Sequence, residues 1–84
     1  MTDVFRADIL EALATHGIRP KPTTRPELVH EFVSDLYRYE IRRLRARLLA
    51  NDFPKKEYAG RVTQLRMRYR VISMRPGEWL TRQG

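Results

Sequence analysis

The sequence predicts an all-α fold: a small three-helix domain with a long central helix, an antiparallel helical hairpin and a C-terminal tail holding the single tryptophan. Three observations predict it. Residues 28–49, LVHEFVSDLYRYEIRRLRARLL, contain no Gly or Pro. Along them Val29, Phe32, Val33, Leu36, Tyr37, Ile41, Leu44 and Leu48 fall on one face at about 100° per residue, the amphipathic-helix signature. Breakers stand on either side, RPKPTTRP before this stretch and NDFP after it.

The elements follow in order. Thr2 is placed to cap a first helix over residues 3–16, with Asp3 favourable at its positive end and Val4, Phe5, Ile9, Ala12 and Leu13 as its apolar stripe. Gly17 suits the left-handed residue that ends a helix, and Ile18 the contact that follows it. Residues 19–23, RPKPT, form an extended connector. Thr24 and Glu27 have the capping-box spacing, with Pro26 in the first turn, so the central helix is expected over residues 25–50. Its acids Glu31 and Asp35 lie early and its arginines late, as the helix dipole favours.

Pro54 fits the first turn of a third helix over residues 55–71, whose Tyr58, Val62, Leu65, Tyr69 and Ile72 repeat at fours and threes. The connection is short enough to fold it back antiparallel on the central helix. Gly60 weakens it, and a close crossing with the first helix would account for the residue. The tail, residues 73–84, has a Pro76-Gly77 turn followed by Trp79 and Leu80, expected to fold back over an open end of the hairpin. The expected core is Phe5, Ile9, Leu13, Phe32, Leu36, Leu44, Leu48, Val62, Leu65 and Tyr69, with no strand.

Composition bounds the function. The chain of 84 residues suits a single domain, residues 1–84, with a thin core. It has no cysteine for a disulfide or thiolate metal site. No apolar run reaches the roughly 18 residues of a membrane span, and MTDVFRADIL lacks the basic-then-apolar order of a signal peptide, so a cytoplasmic protein is expected. The charge of +7 is bipolar: residues 1–36 hold four Lys/Arg against six Asp/Glu, and residues 37–84 thirteen against four. Such a balance points to an acidic partner.

Candidate binding residues are arginines in ridges. Arg38, Arg42 and Arg45 form one on the central helix, and Arg43 and Arg47 a second. Arg61 with Arg68, and Arg66 with Arg70, stack on the third helix. The planar guanidinium fork matches carboxylate and phosphate, and an exposed Tyr37, Tyr39 or Tyr69 among them would stack on a base. Trp79 is expected to pack, with an exposed anchor as the alternative. Glu40 lies near the apolar face and is expected to pair with Arg43 or Arg47.

Catalytic patterns are thin. His16 and His30 have no second ligand at metal spacing, Ser34 and Ser73 lack a nucleophile turn, and the glycines stand apart rather than in a phosphate loop. The expectation is a non-enzymatic module without cofactor. It would dock on an acidic protein surface or pair with a second copy, with backbone-directed nucleic-acid binding as the alternative; no helix-turn-helix layout is present.

Within residues 44–65, LRARLLANDFPKKEYAGRVTQL, the positions of Phe53, Glu57, Tyr58 and Leu65 resemble the short bacterial helical-hairpin module called SHOCT. Pro54 stands where that family usually has a capping Thr. The resemblance covers about a quarter of the chain. It implies an interaction or oligomerisation element and supplies no catalytic residues.

Overall fold

The computed structural model describes residues 2–83, with side chains over 4–81. The domain is all-α, with helices α1 (Ala7–Ala14), α2 (Pro26–Leu49) and α3 (Tyr58–Arg68). A 3-10 turn, Lys55–Glu57, leads into α3, and two more, Arg70–Ser73 and Pro76–Trp79, follow it. The central helix lies within one residue of expectation at each end. No helix of the described residues is long and apolar enough to cross a membrane.

The first helix is shorter than its periodicity suggests. Thr2–Phe5 is a strand, β1, pairing antiparallel with β2 (Leu80–Gln83), with Phe5 opposite Leu80 and Val4 opposite Thr81. The expectation of no strand therefore fails, and so does the cap at Thr2. Val4 and Phe5 favour extended backbone as readily as helix. The deciding partner is the tail, where backbone hydrogen bonds become available that a local reading does not see.

Contacts divide the described chain into two compact units, one of residues up to Glu31 together with those from Val71 onward, the other Phe32–Arg70. In the first, Phe5, Ile9, Leu13, Val29, Val71 and Trp79 are buried. The Arg6 amide donates to the Trp79 carbonyl at 2.8 Å, continuing the strand pairing into the start of α1. The Arg6 guanidinium forks onto the Asp8 carboxylate at 2.7 and 3.1 Å and reaches the Glu78 carbonyl at 3.2 Å, tying the first turn of α1 to the tail.

Trp79 is fully buried. Its indole N–H donates to the Val71 carbonyl at 3.1 Å, and its ring lies 5.2 Å from that of His30. His30 Nε2 sits 3.0 Å from both the Ile72 and Met74 carbonyls. Both partners are acceptors, so Nε2 carries the hydrogen. The tail thus packs on His30 of α2 and on the 3-10 turn that follows α3, and Trp79 is not an exposed anchor.

Two left-handed residues end the long segments. Gly17, at φ 75°, closes α1, with the Ile18 amide reaching back to Leu13 and the Gly17 amide to Ala14. Asn51, at φ 61°, closes α2 by the same arrangement, Asp52 to Arg47 and Asn51 to Leu48. Between α1 and α2, Thr24 commits its hydroxyl oxygen to the Lys21 amide at 2.9 Å.

In the second unit Val33, Leu44, Phe53, Leu65 and Tyr69 are buried. Phe32, expected in the core, is 55% exposed, while Leu36, Leu48 and Val62 are half-buried. The apolar arc of α2 is wider than the buried face, and Val33 rather than Phe32 occupies its middle. Gly60 faces open space, with nothing within 4 Å of where a Cβ would stand, so no close crossing explains it.

Candidate interaction cleft

The second unit is a helical hairpin pinned at both ends by aromatic side chains. At the turn, buried Phe53 lies under the Arg61 guanidinium, 4.2 Å from the ring centroid, with the Arg47 guanidinium at 5.6 Å. At the other end the Tyr69 hydroxyl donates to the Glu40 carboxylate, and Tyr37 meets the Tyr69 ring edge-on with centroids 5.5 Å apart. Arg47 of α2 and Arg61 of α3 thus lie together at the turn, and Glu40 and Tyr69 together at the far end, the antiparallel order predicted.

Between these pins is a cleft of about 350 Å³. From α2 it takes Glu40, Arg43, Leu44 and Arg47; from α3 it takes Arg61, Gln64, Leu65 and Arg68. Each set follows a spacing of three, four and seven, so each is one face of its helix. The buried leucines give the cleft an apolar component, and four guanidinium groups share it with one carboxylate. That carboxylate already accepts from Tyr69 rather than pairing with Arg43 or Arg47 as expected.

The arginines differ in their commitments. Arg61 pairs with Glu57 at 3.2 Å, and Arg47 lies 3.6 Å from Asp52. Among the described residues Arg43 has no ion-pair partner. The Arg61 Nε is buried without a hydrogen-bond partner. An unsatisfied buried donor costs on the order of 1–3 kcal/mol, and native structures hold few of them.

Of the candidate residues, Arg43, Arg47, Arg61 and Arg68 come together here. Arg38, Arg42 and Arg45 are exposed on α2 outside the cleft, with Arg38 paired to Asp35. Arg66 and Arg70 are exposed and do not line it. Trp79 lies buried in the other unit. Tyr69 is 3% exposed and unavailable for base stacking, whereas Tyr39 is 59% exposed. Sequence reasoning missed Gln64 and the use of Phe53 as an arginine platform. Phe53 carried a signal, an aromatic beside a helix-starting proline with arginines a helical turn or two away on either side.

Burial first, then the hydrogen bond from its hydroxyl to Glu40 and the charge of that carboxylate, pushes the Tyr69 phenol up from 10.0 to about 12, against an opposing effect of Arg68. Among the described residues no group of three or more His, Asp or Glu side chains could hold a metal ion. No family model matches this chain, and neither a curated protein nor a solved structure matches it.

Proposed function

We propose that the chain is a non-enzymatic interaction module that docks on an acidic protein partner through its arginine-bearing hairpin. One observation carries this: four arginines on the two helices of the hairpin line one cleft against a single carboxylate that Tyr69 already occupies. A concentration of positive charge around a concave, partly apolar surface suits an acidic protein segment better than bulk solvent. The likeness of residues 44–65 to the SHOCT hairpin supports the same kind of role. A second reading, backbone-directed nucleic-acid binding, is favoured by exposed Tyr39 lying between the exposed Arg38 and Arg42 on α2.

Binding measured across salt separates the two. An acidic polypeptide, a random duplex DNA and a single-stranded RNA are titrated from low to physiological ionic strength. The acidic polypeptide is expected to bind most tightly. Tighter binding of either nucleic acid would reject the proposal in favour of the second reading, particularly with log K falling by about 0.9 per phosphate contact against log salt on the duplex.

A further inference from the structure

Resting on the acidic-partner reading, we infer that the cleft between α2 and α3, and not the outer ridge of Arg38, Arg42 and Arg45, is the recognition site, and that it receives the carboxylate side chains of an extended Asp/Glu-rich peptide.

Three features select this occupant. First, the donors are held in advance. Phe53 lies beneath the Arg61 guanidinium, and Glu57 holds its Nη2. Less rotamer freedom is then lost on binding than at a free surface arginine.

Second, Leu44 and Leu65 supply apolar surface among the cations. Glutamate and aspartate side chains offer methylenes for the leucines and a carboxylate for the forks. Gln64 adds an amide able to pair with the peptide backbone.

Third, the dimensions count against a polyphosphate. A cleft of about 350 Å³ is at the small end for ligand sites, roughly 300–1,000 Å³. It accommodates a few side chains rather than a nucleotide track.

Two double variants of the 84-residue chain, Arg43→Gln with Arg47→Gln and Arg38→Gln with Arg42→Gln, each remove two positive charges but only the first pair lines the cleft. Binding of a short fluorescent Glu-rich peptide is measured by anisotropy at low salt, with circular dichroism confirming equal helix content. The cleft pair is expected to weaken binding by about tenfold or more and the ridge pair by less than about threefold. Peptide addition should also shift the Gln64 side-chain amide resonances in the wild-type protein and not in the cleft variant. If the cleft pair loses helix content, Arg43→Gln alone takes its place against Arg42→Gln alone. Equal losses from both pairs would overturn the cleft assignment while leaving the acidic-partner reading standing. No peptide binding by wild type, or preference for duplex DNA, would overturn both.

Discussion

The Tyr69 hydroxyl donates to the Glu40 carboxylate, joining the end of α3 to the middle of α2. Burial and the adjacent anion make the phenol hold its proton up to about 12, above its ordinary 10.0. The unfolded chain releases that proton earlier than the folded one. The contribution to stability is therefore complete below the ordinary value and is lost as pH rises from about 10 to about 12. Denaturant unfolding is expected to weaken across that window by about 1.4 kcal/mol per pH unit from this group. The tyrosinate absorbance step assigned to Tyr69, by its loss in Tyr69→Phe, should move down in Glu40→Gln. A step that stays in place would show that the carboxylate does not act on the phenol.

Gly60 sits in α3 with open space where a side chain would project. Substitution by alanine removes the glycine penalty without meeting a neighbour, so Gly60→Ala is expected to raise stability by up to about 1 kcal/mol. Urea midpoints of the two proteins decide it, and a lowered midpoint would refute the open-space account.

Asn51 ends α2 in the left-handed region, at φ 61°. Asparagine tolerates this backbone and alanine does not, so Asn51→Ala should cost about 1 kcal/mol, whereas Asn51→Gly should be neutral or stabilising. Thermal unfolding of the three proteins gives the order. Alanine matching glycine would show that the turn relaxes to another conformation.

Trp79 is fully buried and its indole N–H is satisfied by Val71. Trp79→Ala leaves a void against His30 and is expected to cost about 3–5 kcal/mol, a large share of a small domain's stability. Trp79→Phe retains most of the apolar contact but leaves the Val71 carbonyl without its partner, and should cost less. A surface role for the tryptophan would instead give near-neutral stability in both.

The helices were legible because their signals are local. Twenty-two residues without a breaker, Pro26 at the first turn and glycine after α1 each act within a few positions of the structure they dictate. What stayed hidden depends on distant partners. The pairing of Phe5 with Leu80 is invisible to a helical count of Val4 and Phe5, because both residues suit either backbone. Phe32 and Val33 share one apolar arc, and packing alone leaves the first exposed and the second buried. For the cleft, arginine ridges could be read from spacing, but which ridge faces α3 follows from how the hairpin rotates its helices. Glu40 drew notice as an acid near the apolar face, while its tyrosine partner lies 29 residues away.

The division of contacts bears on the order in which a nascent chain acquires structure. Phe32–Arg70 is an uninterrupted length, and each of its contacts can form once that length has emerged from the ribosome. The other unit joins residues before Phe32 to residues after Arg70, so β1 has no partner until Leu80–Gln83 has been made. Closing so long a loop adds entropy cost and delay that the helices do not face. Ribosome-arrested chains stopped at Ser73 should therefore expose the segment from Thr2 to Ala14 to protease, while chains extended through Gln83 on a linker should protect it. Equal protection in both would mean that α1 is held without the tail.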